Sequence, residues 1–382
     1  MTFDCTKIEL GKLCSRLSSG KSISANKVHN SGLYPVYGGN GLRGFTDEFN
    51  FDGECAIIGR QGAFCGNVRY FAGKAYMTEH AIVACANKDN NTRFLAYYLS
   101  TMNLGRLSGQ SAQPGLSVKT LAVQEITIPL LETQKKIAAI LSALDEKIAI
   151  NRAINENLER QAASLYFSMF VSYDYYANME FEDSEFGRIP KGWQVLSLDD
   201  VTINIRDRVH NNNYRVLSAL NSGILQPSDE YFTKQVFSKD ISNYIIVAEN
   251  DFAYNPARVN IGSLGINDLG YTGCVSPVYV VFRTENNYQN YMRFFVKSKR
   301  FQEEVKTRAS GSVRQAMNYA DFSLIRLVYP PKSAIDEFND MVEPIWKNIK
   351  HLRQENEKLS ELRDSLLPKL ISGEIDVSTV KF

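Results

Sequence analysis

Long apolar runs, paired cysteines and excess charge are all missing from this 382-residue chain. No stretch of about eighteen consecutive apolar residues occurs, which argues against a transmembrane helix. The N-terminal residues also lack the apolar core of a signal peptide. The six cysteines show no C-x2-C spacing and the four histidines are scattered, so metal ligation is not expected. The sequence therefore predicts a cytoplasmic protein whose cysteines are reduced and buried.

Charge is nearly balanced, with a formal net value of +1. Residues 1–128 carry 13 basic and 9 acidic side chains, and residues 193–331 carry 15 and 13. The positive net charge of these two regions suits binding to a polyanion, although a protein that binds nucleic acid tightly on its own is usually more basic.

One apolar stripe organises residues 129–170. Apolar side chains recur there at alternating steps of four and three, the spacing that keeps them on one face of a helix. They are Ile137, Leu141, Leu144, Ile148, Leu158, Ala162, Leu165 and Met169. Pro129 suits the entry point, since it lacks an N–H to donate. From 137 to 169 the helix would span roughly 50 Å, too long to bury itself against one compact domain, so a partner helix is expected.

The partner lies in the same sequence. A shift of 201 residues places Pro129 on Pro330, Leu158 on Leu359 and Leu165 on Leu366. Strand-like segments, EITIP and LIRLVYP, lead into both stretches, which two unrelated amphipathic helices with a shared heptad would not explain. The chain is therefore predicted to be an internal duplication with a period of about 200 residues.

The duplication predicts an α+β fold with two similar globular domains, each followed by a long helix. The helices, at 133–170 and 335–371, are expected to pack as an antiparallel coiled coil with an approximate two-fold axis. Asn155 and Asn356 would then occupy equivalent, partly buried positions that help fix the register. The predicted segments are a first domain (1–128), a central helix (129–170), a linker (171–192), a second domain (193–331), and a distal helix with a C-terminal tail (332–382).

Two short motifs match catalytic or nucleotide sites only in part. Ser19-Gly20-Lys21-Ser22 resembles the end of a phosphate loop, but Ser15 stands where that pattern needs a glycine. Tyr254-Asn255-Pro256-Ala257 resembles the Asn-Pro-Pro-aromatic motif of amino-methyltransferases, but it lacks the second proline and the aromatic residue. No glycine-rich cofactor loop follows a strand elsewhere, so the sequence predicts neither an active site nor a cofactor.

Loops that combine glycine with arginine, amide side chains and tyrosine are more informative. Arginine can read guanine edges, and asparagine or glutamine can read adenine edges, by paired hydrogen bonds; other polar groups hold phosphates. For each residue taken singly, an ordinary solvated loop is the alternative. The candidate DNA-binding residues are Tyr37, Asn40, Arg43, Arg60, Gln61, Asn67, Arg69, Gln110 and Gln113 in the first copy, and Asn255, Arg258, Asn260, Ser312, Arg314 and Gln315 in the second.

Together these features resemble the specificity (S) subunits of type I restriction–modification systems, along the whole chain. The stretches that carry the resemblance are KIAAILSALDEKI (136–148), NENLERQAASLYFSMF (155–170), SEFGRIPKGWQV (184–195) and ENEKLSELRDSLLPKLISGEI (355–375). The glycine-rich tracts YPVYGGNGLRG and IIGRQGAFCGNV are similar to one class of the family's target-recognition domains.

The resemblance implies a non-catalytic DNA-recognition and assembly subunit. In the family, two target-recognition domains each read one half of a split double-stranded DNA sequence, and two long antiparallel helices separate them. Two modification subunits, which hold S-adenosylmethionine and methylate adenine, dock on the specificity subunit, and restriction subunits add translocation and cleavage. The weak net charge fits a phosphate clamp supplied largely by the modification subunits. The alternatives are a methyltransferase with its own recognition domain and a protein scaffold to which DNA is irrelevant.

Overall fold

The computed structural model describes residues 4–108, 115–231, 237–308 and 316–380. The chain forms two compact units. The first comprises Met1–Ile150 with Glu355–Phe382, and the second comprises Asn151–Gln354. Each unit therefore contains one globular domain together with part of each long helix.

A mostly antiparallel sheet forms the centre of the first unit. The strands of this unit are β1 (Cys5–Glu9), β2 (Cys14–Ser19), β3 (Tyr34–Gly38), β4 (Gly41–Thr46), β5 (Phe51–Gly59), β6 (Val68–Met77), β7 (Ala81–Ala86) and β8 (Glu125–Pro129). Six of them form one sheet in the order β2-β7-β5-β6-β3-β4, in which only the β3–β6 pair is parallel among the described residues. The remaining two, β1 and β8, form a separate antiparallel ladder.

The last part of the central strand β5 is buried on both faces. Successive side chains of a strand point to opposite sides, so alternate residues of β5 enter different clusters. Ala56 and Ile58 belong to the main core of the unit, whereas Cys55 and Ile57 belong to a smaller cluster on the other side. This arrangement explains why β5 is a nearly continuous apolar run at its end.

Helix packing completes the main core of the first unit. The helices are α1 (Leu10–Leu13), α2 (Thr92–Thr101), α3 (Val118–Ala122) and α4 (Leu131–Phe170). Helix α2 begins at Asn91, whose side chain accepts a hydrogen bond from the Phe94 N–H at 2.8 Å. Phe94, Leu95 and Leu99 of α2 are buried against the sheet, and each such side chain stabilises the fold by about 1.5–3 kcal/mol.

The second unit has smaller sheets. Its strands are β9 (Phe181–Ser184), β10 (Gly187–Pro190), β11 (Gln194–Ser197), β12 (Thr202–Ile205), β13 (Leu217–Ala219), β14 (Leu225–Pro227), β15 (Ile245–Val247), β16 (Phe252–Tyr254), β17 (Leu264–Ile266), β18 (Gly273–Val275), β19 (Val280–Thr284) and β20 (Arg326–Tyr329). Four of them form a sheet in the order β12-β19-β16-β17. Its core contains the stacked rings of Phe252 and Phe282, whose centroids are 5.0 Å apart.

Two helices of the second unit follow each other closely after β19. The helices of this unit are α5 (Leu198–Val201), α6 (Ser228–Tyr231), α7 (Gln289–Phe295), α8 (Lys299–Arg308), α9 (Tyr319–Ser323) and α10 (Lys332–Ser372). The chain breaks between α7 and α8. Ser298 explains the break, because its hydroxyl accepts a hydrogen bond from the Phe301 N–H at 3.2 Å and starts α8 afresh.

The first and last strands of each globular domain pair with each other. In the first unit β1 pairs with β8, from Cys5 opposite Pro129 to Glu9 opposite Glu125. In the second unit β11 pairs with β20, from Gln194 opposite Tyr329 to Ser197 opposite Arg326. The lead-in strands predicted before both long helices are thereby confirmed.

The two long helices run antiparallel within each unit. In the first unit Asp145 of α4 pairs with Arg363 of α10 at 2.8 Å, and Lys147 pairs with Glu355 at 3.5 Å. As the residue number increases along α4, the number of its partner in α10 decreases.

The second unit repeats this order. Glu159 pairs with Arg353 at 3.1 Å, and the rings of Phe170 and Phe338 lie 5.0 Å apart. The antiparallel arrangement predicted for the helix pair is confirmed within each unit. Asn155 is 9% exposed and Asn356 is half-buried, while their role in fixing the register stays a prediction.

The segment 171–192 has more structure than a plain linker. Strands β9 and β10 pair as an antiparallel hairpin, from Phe181 opposite Pro190 to Ser184 opposite Gly187. Trp193, directly after the hairpin, is buried against the rings of Phe170 and Tyr173. The segment therefore packs on the end of α4 in the second unit.

Candidate nucleic-acid interface

Three loops meet at one edge of the sheet in the first unit. The Thr78 N–H in the β6–β7 turn donates to the Tyr37 carbonyl at the β3–β4 hairpin, at 2.9 Å. The Arg60 N–H, after β5, donates to the His80 carbonyl at 3.0 Å. These backbone hydrogen bonds bring the predicted residues around Tyr37 and Arg60 into one surface, which we call the first-unit loop cluster (residues 37–43, 59–69 and 78–80).

Glycines allow the loops of this cluster to approach closely. A Cβ atom at Gly39 would lie 2.9 Å from the His80 carbonyl oxygen. Gly41 has a φ of +97°, which favours glycine, and a Cβ there would lie 2.7 Å from the Arg69 Nη1 atom. The Gly39–Gly41 turn is therefore a close-packed support that holds Arg60 and Arg69 beside the hairpin.

The cationic side chains of the loop cluster are not neutralised by neighbours. Arg43 and Arg69 are exposed and Arg60 is half-buried. Arg60 Nη1 donates to the Glu79 carbonyl at 3.3 Å, but none of the three arginines forms a salt bridge within the ranges that the structure describes. Their charge is therefore available to phosphates or to guanine edges.

The other predicted residues of this cluster present hydrogen-bonding groups. Asn40, Gln61 and Asn67 are exposed, and Tyr37 is half-buried. Burial raises the pKa of the Tyr37 phenol, an effect that the neighbouring positive charge of Arg69 opposes. The phenol therefore stays protonated at neutral pH, so that its hydroxyl can act as a donor.

Gln110 and Gln113 lie outside the described residues, but the chain just after them returns to the loop cluster. The Leu116 N–H donates to the Arg60 carbonyl at 2.8 Å, and Gly115 forms a β-bridge with Gln61. This contact ties the segment that follows residues 109–114 to the two central residues of the predicted site.

The second unit has the same kind of arrangement around residues 255–263. The Arg258 N–H donates to the Asn255 carbonyl at 2.9 Å, and the Ser263 N–H donates to the Arg258 carbonyl at 3.2 Å. Asn255 also accepts a hydrogen bond from the Ala257 N–H at 3.1 Å. The side chain of Arg258 is exposed, whereas Asn255 and Asn260 are half-buried.

Ser312, Arg314 and Gln315 lie outside the described residues. The chain just after them is anchored as in the first unit, since the Met317 N–H donates to the Pro256 carbonyl at 3.1 Å. Met317 is the duplication partner of Leu116. Its acceptor, Pro256, lies next to the predicted residue Asn255, and the acceptor of Leu116, Arg60, lies next to the predicted residue Gln61. In each unit, therefore, a residue just before the short helix (α3 in the first unit, α9 in the second) is hydrogen-bonded to the loop that carries the predicted site residues.

One thiol lies within the first-unit loop cluster, where the Cys65 Sγ donates to the Arg60 carbonyl at 3.4 Å. Burial raises the pKa of Cys14 and of Cys55 to about 12, and that of Cys274 to about 11. All six cysteines are free. In the part of the chain that the structure covers, no three His, Cys, Asp or Glu residues are placed to hold a metal ion. Across the same residues, no helix is both long and apolar enough to cross a membrane.

Comparison with known families identifies this arrangement. The family model described as "Type I restriction modification DNA specificity domain" matches residues 4–160, which include the first-unit loop cluster and the first three-quarters of α4. This part of the chain belongs to the DNA specificity domain family of type I restriction–modification systems. Specificity subunits that carry this domain are non-catalytic parts of a larger complex, as the sequence predicts for this chain.

Relatives and a solved structure extend the match along the chain. It is 42% identical over 134 residues to the type I restriction enzyme EcoprrI specificity subunit of Escherichia coli, which covers 34% of this chain and 33% of the relative. It is 28% identical over 315 residues to the MjaIX specificity subunit of Methanocaldococcus jannaschii, covering 76% and 71%. The crystal structure of a type I S subunit from M. genitalium has the same fold, with a TM-score of 0.62, 15% identity and coverage of 97% and 96%.

The structure adds one polar turn that was not predicted from the sequence. His80 Nδ1 lies 3.1 Å from Gln61 Oε1, and His80 Nε2 lies 3.4 Å from Glu79 Oε1. The turn sits between the buried ends of β6 and β7, so its polar triplet of Thr78, Glu79 and His80 interrupts two apolar strands. This polar interruption between two apolar segments was the sequence signal for the turn. It was overlooked because the four histidines are scattered along the chain and were considered only as possible metal ligands.

Proposed function

We propose that this subunit reads a split double-stranded DNA target, one half with each unit, and holds the subunits that act on that DNA. The observation that carries the proposal is the repeated loop arrangement, in which exposed arginines stand beside amide side chains and form no salt bridge with any residue that the structure describes. Arginine and amide side chains are the groups that read base edges in the major groove. The specificity subunit supplies recognition and no chemistry.

We infer that its partners are two modification subunits, which bring S-adenosylmethionine and methylate adenine, and restriction subunits that translocate and cleave DNA. The duplicated helices offer two related docking sites within one chain, which suits two copies of one partner. Such a complex works on chromosomal and incoming DNA, and we therefore place it in the cytoplasm.

The decisive experiment is methylome sequencing of the host with and without this gene. We expect one split N6-methyladenine motif to disappear on deletion and to return on complementation. Persistence of every motif would contradict the proposal. Binding of S-adenosylmethionine by the isolated chain would favour the methyltransferase alternative, and DNA binding by the full complex without sequence preference would favour the scaffold.

Each half of the target is expected to depend on one loop set. Arg60→Ala or Gln61→Ala should weaken or relax recognition of one half-site, and Arg258→Ala that of the other. A true base contact contributes about 1–3 kcal/mol of discrimination, roughly 10- to 100-fold. The measurement is the frequency of methylation at each single-base variant of the motif.

The matched control is Lys88→Ala, which removes an exposed cation beyond the opposite end of β7. It should leave the preferences at both half-sites unchanged. If substitutions in either loop set altered both halves equally, the division of reading between the units would be wrong.

A further inference from the structure

Each long helix carries a buried amide side chain near its start. Gln134, the fourth residue of α4, is 1% exposed, and Asn339, the eighth residue of α10, is 5% exposed. An amide removed from water is costly unless it is hydrogen-bonded. The hydrogen-bond partners of these two side chains therefore indicate their structural role.

Gln134 holds the loop that joins β7 to α2. Its Nε2 donates to Asn90 Oδ1 at 2.8 Å and to the Pro129 carbonyl at 2.9 Å. Its Oε1 accepts from the Asn91 N–H at 2.9 Å. Asn91 is the residue whose side chain caps α2, so one glutamine connects the long helix to the start of the helix that covers the sheet.

Asn339 makes the corresponding connection in the second unit. Its Oδ1 accepts from Asn290 Nδ2 at 3.0 Å, and its Nδ2 donates to the Asn287 carbonyl at 3.0 Å. These partners lie in the loop from β19 to α7 and in the first turn of α7. Asn290 is itself 5% exposed, so the amide pair is shielded from water.

The two amides are not duplication partners. The 201-residue shift places Ile335 at the position of Gln134, and Ala138 at the position of Asn339, and both of these apolar residues are buried. The contact thus lies four residues, about 6 Å, further along the second helix than along the first. Two unrelated positions make the same strand-to-helix contact, which inheritance from one ancestral copy does not explain.

We propose that Gln134 and Asn339 are positioning residues that fix the orientation of each recognition domain on its long helix. Apolar packing between a helix and a domain tolerates small rolling and sliding, whereas hydrogen bonds between buried amides are satisfied in one geometry only. If the helix pair sets the distance between the half-sites, these amides set the angle at which each domain presents its loops. This inference rests on the proposed function.

The test compares isosteric apolar replacements with matched surface controls. Gln134→Met and Asn339→Leu keep the side-chain volume and remove the hydrogen bonds. Lys135→Met and Asp340→Leu make similar changes at the neighbouring positions, which are exposed. Each variant is expressed with its partner subunits, and the methylated motif is sequenced for half-site bases and spacer length.

We expect the two amide variants to keep both half-sites but to lose spacer fidelity. The preference for one spacer over those one base pair longer or shorter should fall at least about tenfold, because Gln134→Met loses three hydrogen bonds and Asn339→Leu loses two. The two control variants should retain the wild-type spacer preference. A spacer as sharply defined in Gln134→Met and Asn339→Leu as in the wild type would overturn the inference.

A milder variant covers the case in which an amide variant does not fold. Asn90→Ala removes one of the three hydrogen bonds of Gln134 from the domain side, and it should relax the spacer by a smaller factor while circular dichroism stays unchanged. An unaltered spacer in folded Asn90→Ala would also contradict the inference. Absence of any split motif with the wild-type chain would instead count against the proposed function itself.

Discussion

Asp268→Asn is expected to destabilise the second unit by about 3–5 kcal/mol, the cost of leaving buried charges without their partner. The Asp268 carboxylate accepts hydrogen bonds from Arg293 at 2.9 Å and from Arg353 at 3.1 Å. Arg353 also pairs with Glu159 at 3.1 Å, and the Arg293 guanidinium lies 4.2 Å from the centre of the Trp346 ring. One carboxylate thus joins the globular domain to both long helices within this unit.

The loss should be large because Arg293 and Asp268 have little access to water. The Arg293 side chain is 11% exposed and that of Asp268 is 21% exposed. Without the carboxylate, the two guanidinium groups would remain close together, and among the described residues the acidic group that still pairs with Arg353 is Glu159. Unfolding of the chain by heat and by denaturant is the measurement.

The matched control is Glu303→Gln. Glu303 forms an exposed pair with Lys299 on α8, at 3.7 Å, and such surface pairs contribute about 0–1 kcal/mol. Equal destabilisation by the two substitutions would contradict the role assigned to Asp268.

The same carboxylate predicts how stability depends on pH. Burial raises the pKa of Asp268, but the positive charges of Arg293 and Arg353 outweigh this effect and hold the pKa below its ordinary value. The contribution of Asp268 is therefore complete above the pKa of the unfolded chain, about 3.9, and is lost as the pH falls through the lower folded value. The wild type should lose more stability than Asp268→Asn as the pH falls below about 4, and parallel acid curves for the two proteins would refute this.

Lengthening the helix pair by four residues is expected to lengthen the DNA spacer by one to two base pairs. The inserts are placed after Arg152 in α4 and after Arg353 in α10, so that the antiparallel pair keeps its register. Four residues add about 6 Å of helix, and one base pair advances about 3.4 Å along DNA. Four residues also nearly complete a turn, so the apolar stripe stays roughly in phase.

Two-residue inserts at the same places should instead rotate the stripe by about 200° and prevent assembly. The half-site sequences should not change in any active variant, because the loops are untouched. A four-residue insert after Pro277, in an exposed turn, is the matched control and should leave the spacer unaltered. Mapping of the methylated motif is the measurement, and an unchanged spacer in the helix variant would show that the helices do not set it.

The long helices were predictable because a repeated apolar stripe is a local signal. The predicted ranges, 133–170 and 335–371, differ from Leu131–Phe170 and Lys332–Ser372 by three residues or fewer at each end. The sheet of the first unit was not predictable, since its parallel pairing of Val36 with Tyr76 joins distant segments. Pairing between remote strands leaves no periodic trace in a single sequence.

The loop residues were recognisable by composition, but their supports were not. Arg60 and Gln61 stood out because they follow a strand and precede a glycine. The backbone hydrogen bonds that place Arg60, to the His80 carbonyl and from the Leu116 N–H, depend on segments distant in the chain. Gln134 was missed for a different reason, because a polar residue in a helical stripe is ordinarily assigned to the solvent side, whereas here it is buried.

The pairing of the first and last strands of each globular domain has a consequence for how such genes diversify. In both domains the chain enters and leaves on neighbouring strands, Cys5 lying opposite Pro129 and Gln194 opposite Tyr329. A foreign domain with the same closing ladder can therefore replace either one through two genetic crossovers, without altering the path of the chain around it. Recombination between related genes could in this way create a new target in one step, while point substitutions alter it base by base.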